Sequence, residues 1–341
     1  MILIDAVYIN AGGGKSLLQE LLLSLRGSEG VCLLRDIRIE DVDMTGLQVY
    51  DIPPNERART RFYRKYGQRL KRVLCFGNVP PPIRLDAEVA VYFHNMLLCR
   101  TVPEIGLFNR IKAKIKMVYI RLNSRNADCF LVQSSVVRQA LVRLLPSGTK
   151  IVEMPFYAPQ EPRESDMVRA NDCWCKFSFV SNAYSHKNHH TLIAAWKLLA
   201  HRGLFPELHL TISGHYPEIH AQIEEAKAAG ANIVNHGFTN PVSLYRQCGY
   251  QIFPSLQESF GLGLVEAAQA GCAVIASDLP FVYEVVRPLH TFDPHSPESI
   301  CEVVAMVSGK QASAAEVVVV NQTPRLVSWL LTGLIDTPTL S

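Results

Sequence analysis

The sequence predicts an α/β fold in two halves, each a doubly wound sheet, and three observations carry the prediction. Short β-prone runs alternate with helical segments along the chain, as parallel strands joined by helices do. The alternation pauses at Pro155 to Asp172, a stretch with three prolines and mixed charge, and restarts at Lys176. Glycines and small polar residues gather directly after strand candidates, where open α/β sheets hold their ligands. At 341 residues the chain is long enough for two domains, each with its own core.

In the first half, Ile2 to Ile9 reads as a strand, Asn10 to Ser16 as a glycine loop and Leu17 to Leu25 as a helix. Gly14-Lys15-Ser16 tempts a P-loop reading, but that motif needs glycine at position 9, where Ile9 stands. Gly12-Gly13-Gly14 also lacks dinucleotide-fingerprint spacing. What remains is a loop over the carboxyl end of a first strand, either a ligand cradle or a plain turn. Val31 to Leu34 is a second strand. Asp41-Val42-Asp43 has the form of a metal-binding pair but lacks a supporting carboxylate nearby, so no metal is expected. Arg57 to Arg72 reads as helical, Val73 to Phe76 as a strand and Gly77 to Pro82 as a rigid loop. Ala87 to Phe93 is a strand capped by His94-Asn95, a polar pair aimed at a ligand crevice or a structural one. Leu107 to Asn123 is a basic amphipathic helix. Ala127 to Ser135, Val136 to Leu145 and Lys150 to Met154 complete the alternation.

In the second half, Lys176 to Val180 is a strand followed by the polar loop Ser181 to Asn188 and a helix from His190 to His201. Leu208 to Ser213 and Ile233 to Asn235 are strands, and Glu218 to Ala229 and Val242 to Gln247 are helices. Tyr250 to Phe253 reads as a buried strand, closed by Pro254-Ser255. Glu258-Ser259-Phe260-Gly261-Leu262-Gly263 then opens a helix that stops at Gly271, with Ala273 to Ala276 as the next strand. A helix opening on Gly-Leu-Gly offers backbone N–H groups and a positive dipole end to phosphate. Glu258 precedes that end and Glu266 lies about one turn inside the helix. Carboxylates suit sugar hydroxyls, so a ligand carrying sugar, diphosphate and ribose in sequence fits the layout. The plain alternative is a surface glutamate and an ordinary helix glutamate.

Composition bounds the rest. The Met1 to Asp5 start lacks a basic leader, no eighteen-residue apolar run appears, and nine scattered cysteines suit free thiols in a reducing cytosol. The net charge of +3 conceals an asymmetry. Residues 1–150 hold 23 Lys and Arg against 13 Asp and Glu, a balance of +10; the remainder holds 11 against 18, a balance of −7. The basic residues cluster in Arg57 to Arg72 and Arg110 to Arg125. Such clusters form a solvated helical face, a contact with an anionic membrane surface, or one with a phosphorylated acceptor. No nucleic-acid motif accompanies them, so no nucleic-acid partner is expected.

With these residues assembled, the chain resembles the retaining glycosyltransferases of family 4 (glycosyl transferases group 1), which have the GT-B architecture of two facing Rossmann-like domains with a cleft between them. The match is densest over Leu244 to Asp278, where Glu258 and Glu266 stand at the family's paired glutamates with seven residues between. It continues through Tyr184 to Asn188, Gly214, Tyr92 to Asn95, Asp128 to Ser134 and the glycine loop. The resemblance implies an N-terminal acceptor-side domain over 1–157, a linker over 158–172, a donor domain over 173–310 and a tail over 311–341 that crosses back. Ser328-Trp329 would be the remnant of the family's closing helix. It further implies that Lys187 binds the donor diphosphate, with Glu258 on the sugar hydroxyls, Glu266 on the ribose and His94 lining the sugar pocket. Gly13, Gly14, Asn182, Gly261, Leu262 and Gly263 complete the donor site.

Asn182 stands where the family usually has arginine, which removes half of the expected positive clamp. Cys248-Gly249 and Ala273 are further departures. The expected reaction is transfer of a sugar from a nucleoside-diphosphate donor to a glycan or lipid-linked acceptor, with retention and without metal or other cofactor, in the cytoplasm or on the inner face of the cell membrane. Assembly of envelope polysaccharide, lipopolysaccharide or glycolipid is the expected context. The rivals are a nucleoside-diphosphate-sugar 2-epimerase and a non-catalytic nucleotide-sugar-binding protein.

Overall fold

The computed structural model describes residues 1–10, 12–99, 107–159, 171–237 and 239–333. The chain divides into two compact units, Met1–Ala158 with Val320–Ser341, and Pro159–Val319. The expected linker at 158–172 lies mostly outside the described residues.

The first unit is a parallel sheet of β1 (Ile2–Asp5), β2 (Val31–Asp36), β3 (Gln48–Ile52), β4 (Arg72–Cys75), β5 (Glu88–Phe93), β6 (Cys129–Val132) and β7 (Ile151–Glu153). Their spatial order is β3-β2-β1-β4-β5-β6-β7. The connecting helices include α1 (Gly12–Ser24), α2 (Glu56–Tyr66), α3 (Leu107–Asn123) and α4 (Ser135–Leu144). Successive side chains of a strand face opposite ways, and here both faces are covered. Ile2 and Ile4 pack with Leu17, Leu18 and Leu21 of α1. Leu3 packs with Phe62 of α2, Ile120 of α3 and Leu141 of α4. Burial on both faces explains why these strands read as continuous apolar runs rather than alternating ones.

Strand β1 ends at Asp5 rather than Ile9 and helix α2 at Tyr66 rather than Arg72, and two other elements of this unit differ more from the sequence expectation. Strand β3 went unrecognised because it is an edge strand with a largely exposed or half-buried Gln-Val-Tyr-Asp-Ile sequence. Helix α1 begins at Gly12, not at Leu17, so the glycines form its first turn. Gly14 serves close approach there: a Cβ on it would sit 2.8 Å from His94 Cε1.

The second unit holds β8 (Lys176–Phe179), β9 (Glu207–Leu210), β10 (Ile233–Asn235), β11 (Tyr250–Phe253), β12 (Ala273–Ser277), β13 (Val286–Arg287), β14 (His290–Phe292) and β15 (Glu316–Val317). Six of them form a parallel sheet in the order β10-β9-β8-β11-β12-β14, and β13 pairs antiparallel with β15. Its helices include α5 (His189–His201), α6 (Pro217–Ala228), α7 (Pro241–Gln247), α8 (Leu262–Gln269), α9 (Pro280–Tyr283) and α10 (Pro297–Val307). The run β11-α8-β12 is the strand-helix-strand frame read from the sequence, and Gly271, at φ +86°, ends α8 as expected.

Residues 311–319 stay with the second unit through the β13–β15 pair. Residues 320–333 pack on the first unit as α11 (Thr323–Thr332). Trp329 is fully buried there, its indole N–H donating to Glu88 Oε1 at 2.8 Å, and Arg72 donates to the Leu330 carbonyl at 2.6 Å. Among the described residues no helix is long and apolar enough to cross a membrane.

Candidate active site

Both sheets reverse their winding direction at one point, between β1 and β4 in the first unit and between β8 and β11 in the second. Loops leaving the carboxyl ends of such neighbouring strands diverge and open a crevice. The residues singled out from the sequence fall at these two places.

In the second unit, the loop after β8 carries Lys187 and the loop after β11 carries Glu258. Two backbone devices hold these loops together. Asn188 takes a left-handed φ of +61°, and its buried carboxamide donates to the carbonyls of Pro254 at 3.1 Å and Pro294 at 2.7 Å. The Leu256 N–H donates to the His186 carbonyl at 2.8 Å. The result is an ion pair, Lys187 Nζ to Glu258 Oε1 at 2.6 Å, with side chains 19% and 12% exposed. Lys187 also lies 5.8 Å from the centre of the Phe253 ring. The ammonium is thus held on a rigid floor beside a carboxylate that offers its second oxygen to a hydroxyl.

Helix α8 starts directly beyond. Gly261 is its N-cap at φ +95°, and no side chain caps that end. Gly263 packs tightly, since a Cβ on it would lie 3.4 Å from Phe253 and 3.5 Å from the Tyr245 hydroxyl. Glu266 is mostly buried one turn on. Burial pushes its carboxyl up to about 7, against a weaker lowering by the Tyr245 hydroxyl, which donates to Oε2 at 3.5 Å. Asn182 is exposed, and its carbonyl accepts from the Tyr184 N–H and the Ser181 hydroxyl, each at 2.9 Å. His189, which the sequence reading left aside, is buried against Phe179, and burial pushes its imidazole down to about 3.

In the first unit, His94 leaves the end of β5 beside Asn78, which follows β4. The His94 N–H donates to Asn78 Oδ1 at 2.7 Å, and its Nε2 lies 3.1 Å from both the Asn78 amide nitrogen and the Phe76 carbonyl. Burial pushes the imidazole down to about 4, so it is neutral at neutral pH. Gly14 touches the same ring, so the first turn of α1, with Gly13 in it, stands against His94. Gly77 is required: a Cβ there would fall 1.9 Å from the Val7 carbonyl oxygen.

The sequence reading missed a buried polar network at the same sheet end. Asp5, at the end of β1, receives Arg59 Nε at 3.0 Å, a second Arg59 nitrogen at 2.8 Å and the Tyr63 hydroxyl at 2.5 Å. Glu56 receives Arg59, Tyr8 and Tyr119. Arg59 had been counted in a basic face toward solvent or membrane; it is instead 1% exposed and ion-paired. The signal available was an acid closing an apolar strand together with Glu56 and Arg59 spaced three apart. Asp41 and Asp43 pair with Lys15 and Arg26, and among the described residues no cluster of three metal-type ligands occurs.

Residues 175–317 match the family model described as glycosyl transferases group 1. No curated protein sequence gives a significant match. Among solved structures the chain is similar to sucrose-phosphate synthase from Thermosynechococcus elongatus, at TM-score 0.65 and 16% identity over 91% of this chain and 92% of that one. It is similar to Anabaena HepE (Alr3699) in complex with UDP and glucose, at TM-score 0.64 and 13% identity over 97% and 96%. It is also similar to the lipopolysaccharide outer core galactosyltransferase WaaB in its apo form, at TM-score 0.61 and 13% identity over 98% and 95%. The two parallel sheets have the GT-B fold of these glycosyltransferases, and residues 175–317, in the second unit, match glycosyl transferases group 1.

Proposed function

We propose that the chain transfers a sugar from a nucleoside-diphosphate donor to an acceptor hydroxyl with retention at the anomeric carbon. The observation that carries the reading is the Lys187–Glu258 pair set beside the uncapped end of α8 at the winding reversal of the second sheet. In the reaction the bond from the anomeric carbon to the diphosphate breaks, a bond to the acceptor oxygen forms, and the acceptor hydroxyl's proton passes to the departing diphosphate and from there to solvent. Lys187 and the N–H groups at Leu262 and Gly263 would stabilise the charge that grows on the departing diphosphate. Glu258 would hold sugar hydroxyls, Glu266 the ribose, and His94 and Asn182 would line the donor's surroundings. No metal is included in this proposal, in which Lys187 and the α8 N–H groups would meet the charge on the diphosphate. Donor binding and transfer are measured with Lys187→Ala and Glu258→Ala, with and without a chelator. A loss of about a hundredfold or more in each variant is expected, and wild-type rates in both would refute the assignment. The anomeric configuration of the product, read by NMR, tests retention. Conversion of the donor without any acceptor would favour the 2-epimerase reading, and binding without turnover the non-catalytic one.

A second observation bears on the acceptor and the location. Helix α3 exposes Ile111, Ile115, Val118 and Leu122, at 47, 65, 57 and 75%. At 100° per residue they occupy an arc of about 60°. Exposed Arg110, Lys114 and Arg121 flank the stripe on one side and Lys112 on the other. Apolar residues bordered by cations are the surface of a helix lying in an anionic lipid interface. The proposed acceptor is therefore a lipid-linked glycan at the inner face of the cell membrane, in envelope polysaccharide, lipopolysaccharide or glycolipid assembly. Co-sedimentation with phosphatidylglycerol vesicles should be salt-sensitive and should fall sharply in Ile115→Glu/Leu122→Glu. Equal binding to zwitterionic vesicles would count against it.

A further inference from the structure

The first unit carries strain and charge at its own winding reversal that the proposed donor chemistry does not use. Two non-glycine residues there hold left-handed backbones: Tyr8 at φ +78°, three residues after β1, and Asn78 at φ +68°, three after β4. Each costs on the order of 1–3 kcal/mol and persists only where surroundings impose it. Tyr8 is pinned from two sides, its N–H donating to Asp36 Oδ2 at 3.1 Å and its hydroxyl to Glu56 at 2.7 Å. Its ring lies 5.2 Å from Lys116 Nζ and 5.8 Å from Arg59 Cζ.

Lys116 comes from the inward side of α3 and is partly buried. Among the described residues no carboxylate reaches it within ion-pair distance, whereas Arg59, Arg38 and Lys15, also at this sheet end, each have one. The nearest acids are already engaged: Glu56 accepts from Arg59, Tyr8 and Tyr119, and Asp5 from Arg59, Tyr63 and the Val7 N–H. Burial, and then the Arg59 charge, push the Lys116 ammonium below its ordinary range against a weaker raising by Glu56, and Lys116 in turn adds to the lowering at His94. One ammonium with no carboxylate within ion-pair distance therefore stands where His94, the strained Tyr8 turn and the first turn of α1 meet.

We infer that this end of the first sheet is a subsite for an anionic group on the acceptor, a phosphate joined to the sugar or polyol that presents the accepting hydroxyl, with Lys116 as its counter-charge. The inference rests on the glycosyltransferase reading for the ligand's role but not for its charge. A phosphate gains a charge-assisted bond from Lys116 and supplies the opposite charge that favours the ammonium. A neutral sugar leaves the ammonium poorly solvated and unpaired.

The test uses the full chain saturated with UDP, so that phosphate probes do not report on the donor site. Hexose 6-phosphate, the matching neutral hexose and monomeric dihexanoyl phosphatidylglycerol are titrated by calorimetry. At least one phosphate probe should bind about tenfold or more tightly than the neutral hexose. Lys116→Met should abolish that preference, Lys116→Arg should keep most of it, and UDP affinity should be unchanged in both. In the wild-type chain carrying 13C-dimethyl lysines, the resonance missing from Lys116→Arg should move when the probe is added. Binding of the hexose phosphate assigns the anion to a soluble acceptor, and binding of the lipid alone assigns it to a headgroup. No preference for either phosphate, an unchanged preference in Lys116→Met, or a static Lys116 resonance overturns the inference. Loss of UDP binding in the wild type would instead overturn the donor reading.

Discussion

Glu266 gives the sharpest quantitative prediction, because its carboxyl is held near 7 by burial while its proposed task requires a charge. Ribose hydroxyls donate to a carboxylate better than to a carboxylic acid, so the ionised form is the one that binds donor. The apparent dissociation constant is the intrinsic one divided by the ionised fraction. With a carboxyl near 7, that fraction is about 3% at pH 5.5 and about 90% at pH 8. Donor affinity should therefore rise about thirtyfold across this interval, with close to one proton released per donor bound at the acid end. Donor titration by calorimetry in buffers of different ionisation enthalpy measures both quantities. Nucleoside-diphosphate sugars have no group of their own that titrates in this range. Glu266→Gln should bind more weakly at pH 8 and show a flat profile. A flat profile in the wild type, or the same slope in the variant, would refute the ribose assignment. The apo protein should respond with the opposite sign. A carboxyl raised in the folded state favours folding while it is protonated, so this contribution is complete below about 4.5 and is lost as pH rises through about 7. The lost stability is about 3 kcal/mol.

Three further outcomes test the scaffold. Arg59→Met leaves Asp5 buried without its counter-ion and should cost about 3–5 kcal/mol in urea unfolding; a loss under about 1 kcal/mol would mean the network is not what holds β1 to α2. Gly77→Ala must push the Val7 carbonyl aside from a 1.9 Å contact. It should destabilise by about 3 kcal/mol or more, seen as a drop in melting temperature, whereas unchanged melting would contradict the packing at this turn. Gly14→Ala sets a methyl 2.8 Å from His94 Cε1. It should reduce transfer about tenfold or more through a displaced imidazole, with UDP affinity retained; unchanged turnover would remove His94 from the sugar's surroundings.

Much of the fold was legible because strands of a doubly wound sheet are buried on both faces and advertise themselves as short apolar runs. Val31 to Leu34 and Tyr250 to Phe253 are examples, Ile2 to Ile9 was read as a strand that in fact ends at Asp5, and the helix over Leu107 to Asn123 was readable to the residue. Strand β3 was not, since its half-exposed edge position dissolves the apolar signal. Nor was the start of α1, where the poor helix propensity of three glycines masks the helix and only Gly14 needs a bare backbone, against His94. The ion pair of Lys187 with Glu258 was not read from the sequence, which placed the two in separate stretches of one donor site. Its physical cause, the Asn188 carboxamide bridging Pro254 and Pro294, joins residues far apart in sequence and leaves no local periodicity.

Charge was the least legible property, and the reason is geometric. A count of basic residues treats Arg57 to Arg72 and Arg110 to Arg125 as two uniform clusters, but a helix sorts its residues by angle. On α2, Arg59 turns inward to Asp5 and Glu56 while Arg57 and Arg61 remain outside. On α3 the sorting is threefold: Ile120 and Met117 enter the core, Ile111, Ile115, Val118 and Leu122 face out between exposed cations, and Lys116 and Tyr119 turn toward Tyr8 and Glu56. One helix thereby carries the proposed lipid-facing stripe on its outside and the proposed anion subsite on its inside. The two readings separate cleanly by substitution. Acidic replacements in the stripe should release the chain from vesicles without changing soluble phosphate binding, and Lys116→Met should do the reverse. If either substitution moved both properties together, the division of labour across α3 would be wrong.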